Sequence, residues 1–328
     1  MLDLQKIIDL RPSGLDPNDI DLSAGTYCMS FAFDLDLLVR SVREGGLVNT
    51  PLVWEGPHQR YLPITGYRRI LALRTLVWKS IPCRILKCTE ISPLDCLLTN
   101  LHENLTIRKF NDVEKGMVLR RLMGELSEEE IVEHYLPLLD LPRREASLHF
   151  YVAIEKDLDQ EIKISLARRE ISLPVVKWLL PMEPASRMQV FHFLKKLNLN
   201  FNQQQKCIDY IEDISTIENS SISQLLPELA LEPTTDLNRP QKARSILQDL
   251  RRRRFPRLVQ AEKTFKKRVS RLDLPSGVRI DAPAHFEGPN YRMEVLFKDG
   301  RELREKMESL SHADALEELG DPWKGNPS

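Results

Sequence analysis

The apolar pattern of this chain changes period twice, and those changes bound its fold. Between residues 34 and 101, short strand-like runs at 51–54, 61–64 and 81–87 alternate with helical spacings such as Leu35, Leu38, Val39 and Val42. From residue 111 the spacing is helical as far as residue 213. Beyond Ser245 strands return. Residues 278–280 and the series Tyr291, Met293, Val295, Phe297 lie between a helix marked by Leu258, Ala261, Phe265 and Leu272 and a second marked by Leu303, Met307 and Leu310. The expectation is an α+β domain over 25–110, an all-α domain over 111–213 and a small α/β domain over 245–312. A chain of 328 residues accommodates two or three domains. Residues 1–24, with Pro12, Gly14 and Pro17, read as an N-terminal arm made of a short helix or strand and then a loose stretch, and 313–328 as a tail. Residues 214–244 carry Ser and Thr clusters and Pro227, Pro233 and Pro240, and read as a linker with a short helix at 222–230.

Helix boundaries are marked by capping residues. Ser92-Pro93 places an N-cap before a proline at the first helical position. Asn111 with Glu114, and Ser127 with Glu130, have the spacing of capping boxes. These predict helices over 34–43, 66–77, 112–126, 128–135, 143–157, 159–169, 173–180, 184–197 and 203–213.

Two motifs carry chemistry. Gly66-Tyr67-Arg68-Arg69 lies between a strand-like and a helix-like run, and Glu103-Asn104-Leu105 ends another helix. Glycine lets backbone approach an anion closely, and helix N-terminal N–H groups with two arginines attract negative charge. Thr65 adds a hydroxyl donor. Glu103 and Asn104 supply the oxygen ligands that Mg²⁺ takes. The competing reading is an exposed helix turn with solvated arginines, and a polar helix end.

The net charge of −1 conceals local patches. Residues 251–271 hold ten basic side chains and one acidic, beginning with Arg251, Arg252, Arg253, Arg254 and Arg257. Residues 212–236 hold six acidic and no basic side chains. The basic window suits a phosphate backbone bound without sequence preference, an acidic partner, or the acidic segment in cis. No run of eighteen apolar residues occurs, and Met1–Lys6 lacks the features of a signal peptide, so a cytoplasmic protein with no membrane association is expected. The five cysteines, with no CxxC pair, read as reduced buried thiols.

In order, five pieces of the segment from Phe31 to Glu114 resemble the N-terminal, CTP-binding domain of the ParB partition-protein family. They are the helix at 34–42, the turn Gly45–Val53, Gly66-Tyr67-Arg68-Arg69 where the family has Gly-Glu-Arg-Arg, the strand at 81–85, and Glu103-Asn104-Leu105 followed by Asn111 and Glu114. The resemblance implies an α+β ParB/sulfiredoxin-like fold. It implies CTP and Mg²⁺ as ligands, with Thr65, Gly66, Arg68, Arg69, Glu103 and Asn104 at the nucleotide, Glu103 and Asn104 at the metal, and Glu103 as the one candidate catalytic residue. It also implies a central helix-turn-helix opening at Leu126-Ser127-Glu128, with Arg143, Arg144, Ser147 and His149 at the start of a recognition helix. The C-terminal unit resembles the family's dimerisation domain, so a homodimer on double-stranded DNA is implied. A ParA-type ATPase docking on the 1–24 arm and nucleoid association follow from the same likeness.

The chain departs from the family pattern at several places. The family's Gln-Pro-Arg segment falls on residues 26–30, which contain none of these residues, and Tyr67 replaces a glutamate. The arginine usually three residues after the asparagine falls on Ile107, with Arg108 one position late. These changes weigh against hydrolysis more than against binding. They leave open a nucleotide-independent regulator on a degenerate ParB scaffold. Turnover of a small phosphorylated substrate is disfavoured by the 251–271 patch. The loop at 134–142 is also longer than the usual helix-turn-helix turn.

Overall fold

The structure is a computed structural model that describes residues 10–22, 27–56, 60–87, 89–230, 239–283, 286–288, 290–311, 316–317 and 319–320. Pro57 of the expected turn, Cys88, residues 231–238 of the expected linker and most of the expected tail lie outside the described residues. The chain divides into two compact units, Met1–Lys195 and Lys196–Ser328.

The first unit begins with a four-stranded sheet in the order β1-β4-β2-β3, formed by β1 (Ser13–Leu15), β2 (Leu52–Glu55), β3 (Tyr61–Thr65) and β4 (Ile81–Lys87). β1 is antiparallel to β4, β4 is parallel to β2, and β2 forms an antiparallel pair with β3. Pro63 is accommodated because β3 is an edge strand. α1 (Asp36–Gly45) and α2 (Tyr67–Thr75) contribute Val42, Ile70 and Leu73 to a core with Leu15, Ile20, Val53, Ile81 and Cys83. The expected arm is therefore partly built into the domain. Gly14 pairs with Pro82, Ile20 bridges Tyr61, and both Leu15 and Ile20 are buried. Two apolar side chains and sheet hydrogen bonds fix this segment, and the sequence pattern gave too short a run to reveal them.

α3 (Pro93–Ile107) starts at Ser92, whose side chain accepts from the Asp95 N–H. α4 (Asp112–Leu122) starts with the expected Asn111/Glu114 capping box. The Ser127/Glu130 box also forms, but the helix it starts does not remain α-helical. Glu128–Glu130 passes into a π-helical turn, Ile131–Tyr135, and a 3₁₀ turn, Pro137–Leu139, so the long expected loop is largely wound. Pro137 lacks the N–H that would continue the ladder, and Asp140 ends the run with φ +56°. α5 (Glu145–Asp157) packs on α4, where Gly116 allows close approach. A Cβ at Gly116 would press on the Tyr151 carbonyl oxygen and lie 3.0 Å from Glu155 Cβ. α6 (Gln160–Ala167), α7 (Leu173–Leu179) and α8 (Pro184–Leu197) complete the helical part.

In the second unit α9 (Phe201–Glu218) packs against α10 (Ile222–Ala230) and α11 (Arg239–Arg254). Its start is an Asn200/Gln203 capping box, two residues before the expected one. The described part of the expected linker is thus mostly helical. Asn219, in the left-handed conformation, ends α9 for a short connection, and Leu225 and Leu226 are buried. α12 (Pro256–Val269), β5 (Val278–Asp281), β6 (Arg292–Val295) and α13 (Gly300–Ser311) follow in the expected helix–strand–strand–helix order, with β5 and β6 antiparallel.

Candidate functional site

A cavity of about 290 Å³ opens in the first unit, a size at the lower end of small-molecule sites. Its lining includes Gly66, Arg68, Arg69, Glu103 and Asn104, so the two sequence motifs converge on one space. Met29, Ser30, Asn49, Asn100 and Arg108 also contribute. Thr65 differs: it is 5% exposed at the end of β3 and does not line the cavity.

Gly66 makes this geometry. It is the N-cap of α2 with φ +77°, a conformation glycine adopts without a Cβ penalty, and a Cβ there would meet Pro51 at 3.0 Å. No side chain caps this helix start. N–H groups at such a terminus, beside arginines, form an anion-binding arrangement.

Three guanidinium groups surround the cavity, each engaged by a carboxylate. Arg69 Nη2 donates to Glu103 Oε1 at 2.6 Å and Arg69 Nη1 to the Asn49 carbonyl at 2.9 Å. Arg68 Nη2 donates to Glu114 Oε1 at 2.9 Å and its Nε to Ser30 Oγ at 3.1 Å. Arg108 Nη1 donates to Glu114 Oε2 at 2.5 Å and Nη2 to the Met29 carbonyl at 2.7 Å. Burial, with the neighbouring Arg108 cation, lowers the Arg68 pKa from its ordinary value. Arg68 also lies over the Phe33 ring at 4.5 Å, and Phe33 meets Tyr67 edge-on.

Arg108, which the motif alignment sets one residue late, therefore reaches the cavity. It is the C-cap of α3 in extended conformation, and its Nε donates to Asn104 Oδ1 at 2.9 Å. Asn104 Nδ2 in turn donates to Asn100 Oδ1 at 2.9 Å, and buried Asn100 donates to the Ile64 carbonyl. Asn100 and Asn104 are four residues apart on one face of α3, whereas Arg108 joins the row from beyond the helix end.

For a metal, Glu103 and Asn104 supply oxygens, as Mg²⁺ needs when phosphates complete its shell. Both are committed to arginines, Glu103 to Arg69 and Asn104 Oδ1 to Arg108. Among the described residues no group of three or more His, Cys, Asp or Glu side chains converges as a metal site.

The expected DNA-contacting residues fall on two surfaces. Arg144 is the N-cap of α5, with Arg143 just before it and Ser147 and His149 in its first turns. Arg143 Nη1 pairs with Glu133 at 2.9 Å and His149 Nε2 lies 3.3 Å from Glu128, all four side chains being exposed. The Arg251–Arg254 run is turned onto acidic neighbours. Arg251 makes a two-pronged contact with Glu262, and Arg252 pairs with Asp249 at 2.9 Å. Arg253 bridges Glu218 and Glu228, and Arg254 Nε donates to Asp213 at 2.6 Å. Asp213, Glu218 and Glu228 come from the acidic 212–236 segment, so Arg253 and Arg254 are paired with it in cis. Arg257, Lys263, Lys266 and Lys267 instead stand exposed on α12 and pair with no acidic side chain among the described residues.

No family model matches the chain, and no curated protein matches it. Among the solved structures that resemble it are two of the C-terminally truncated chromosome-partitioning protein ParB from Caulobacter crescentus. One, complexed with CTP-γ-S, is 20% identical with a TM-score of 0.26, covering 55% of this chain and 98% of that one. The other, complexed with the centromeric parS site, is 17% identical with a TM-score of 0.31, covering 55% of this chain and 91% of that one. At these TM-scores neither likeness bears on function. Among the described residues no helix is long and apolar enough to cross a membrane.

Proposed function

We propose that this chain is a ParB-like DNA-binding protein whose N-terminal unit binds a nucleoside triphosphate between α2 and α3. The observation that carries the reading is the cavity itself: an uncapped helix N-terminus at Gly66 surrounded by Arg68, Arg69 and Arg108. CTP is the ligand the motif resemblance implies, and Glu103 and Asn104 suit a Mg²⁺ ion shared with its phosphates once their arginine partners turn to the anion. Hydrolysis forms no part of the proposal.

Duplex DNA is the second ligand. Arg143, Arg144 and His149 at the start of α5 suit a groove or backbone contact, and the open basic side chains of α12 suit phosphates. A homodimer through the C-terminal unit is supported by Met293 on β6, Leu296 and Phe297 just beyond it, and Met307 on α13, which are 43–64% exposed. Partition of a replicon with a ParA-type ATPase is the process this combination would serve.

Titration calorimetry of CTP, with ATP and GTP as controls and Mg²⁺ present, tests the ligand reading. CTP-selective binding, abolished by Arg69→Ala, is expected. A second reading, a nucleotide-independent DNA-binding regulator, draws on the fact that all three arginines already have carboxylate partners. Heat evolved by none of the nucleotides, with DNA affinity intact, would establish it.

A further inference from the structure

The inference rests on the anion reading of the cavity and concerns a residue behind its wall. Glu114 is 1% exposed and is absent from the cavity lining. Its carboxylate accepts four hydrogen bonds, from Arg68, Arg108, and the Phe31 and Asn111 N–H groups. Each donor belongs to a different support of the cavity. Phe31 follows Met29 and Ser30, Arg68 starts α2, Arg108 ends α3, and Asn111 caps α4.

A capping glutamate needs only one of these bonds. The other three bind two cations and a distant backbone segment to one buried charge. Arg108 lies close enough to Arg68 to disfavour the Arg68 charge, and Glu114 accepts a hydrogen bond from each. We propose that Glu114 is a built-in counter-ion of the cavity. It holds Arg68 and Arg108 together in the absence of ligand, and its negative charge sets how strongly the site attracts a polyphosphate. An entering anion competes with Glu114 for Arg68, the more exposed of the two arginines. The recognised chemistry is a polyphosphate chain; whether a nucleoside is attached is for experiment to separate.

The test is binding of inorganic tripolyphosphate and, separately, CTP to the full chain and to E114Q. The glutamine retains an oxygen for the Asn111 N–H, so a purely structural cap predicts unchanged affinity. Loss of the competing charge predicts about tenfold tighter tripolyphosphate binding and a larger ligand-induced rise in Tm than in the parent chain. If CTP gains by the same factor, the gain lies in the phosphates; a gain confined to CTP, or equal affinity of the two proteins for both ligands, overturns the counter-ion role while leaving the pocket reading in place. If neither protein binds either ligand, the pocket reading fails and the counter-ion role fails with it. If E114Q does not fold alone, tripolyphosphate is expected to restore its circular dichroism where sodium chloride of equal ionic strength does not, because an external anion replaces the missing charge. Failure of that rescue overturns the proposal.

Discussion

Two arginine clusters in this protein are both neutralised by carboxylates, yet they differ in how they are built. Arg68 and Arg108 come from separate helices and share Glu114, a carboxylate with almost no solvent exposure. Arg251–Arg254 are consecutive and pair with acids whose side chains are 17–60% exposed. The first arrangement closes around a cavity, whereas the second pins α11 to its neighbours in the same unit. Density of charge along a sequence is thus a poor guide to where a ligand binds, because adjacent charges on a helix point in different directions and find different partners. Charges that converge from distant segments, on a buried group, are better placed for selective binding.

The sharpest way to break the comparison is to remove one arginine from each cluster. Arg108→Ala deletes contacts to Glu114, Asn104 and the Met29 carbonyl and leaves Glu114 short of a partner in a buried setting. Breaking a buried pair from one side costs about 3–5 kcal/mol, so a shift of that order is expected in the urea unfolding of the full chain. A loss below about 1 kcal/mol would place Glu114 in effectively solvated surroundings and remove the contrast with the surface cluster.

The next effect tests the seat of Glu114. Gly116 lies two residues further along α4, where α5 presses closest. Gly116→Ala would gain helix propensity but force its methyl group onto the Tyr151 carbonyl. Overpacking of this kind costs about 1–3 kcal/mol, and unfolding of the variant should show a net loss. An unchanged or raised Tm would show that α4 and α5 can separate without penalty, and that the buried cluster is not held by helix packing.

Legibility from sequence followed the same division. The β2, β3 and β4 strands, the Asn111 and Ser127 capping boxes and the helix–strand–strand–helix order at the C-terminus were readable because each depends on short-range spacing. The convergence of Gly66–Arg69 on Glu103-Asn104 was readable from motif order. Glu114 was visible only as a cap, since its other three partners lie on segments that only tertiary packing brings near. Arg108 seemed misplaced because its extended C-cap conformation, which redirects the side chain, leaves no mark in residue spacing. The docking of residues 13–20 and the reach of α9 and α11 into the expected linker were missed because tertiary contacts outweighed weak local patterns, whereas the short helix expected at 222–230 forms as α10.

The smallest effects concern DNA, and they separate the two kinds of basic residue in the second unit. If the open α12 side chains touch phosphates, Lys263→Ala and Lys267→Ala should each reduce the slope of log affinity against log salt by about 1 on a non-specific duplex. Arg253 has the same charge but is held by Glu218 and Glu228. Releasing it for DNA would require breaking both pairs, so Arg253→Ala should leave the salt slope unchanged. Its stability cost should also stay within about 1 kcal/mol, since the pairs are partly solvated and screened. Fluorescence anisotropy across a salt series reads the slope for all three variants in one experiment. A fall in slope for Arg253→Ala equal to that for Lys267→Ala would mean that DNA outcompetes the acidic helices, and that the arginine run is a nucleic-acid surface after all. Unchanged slopes in the two lysine variants would instead move the DNA contact away from α12, leaving the start of α5 as the surface to mutate.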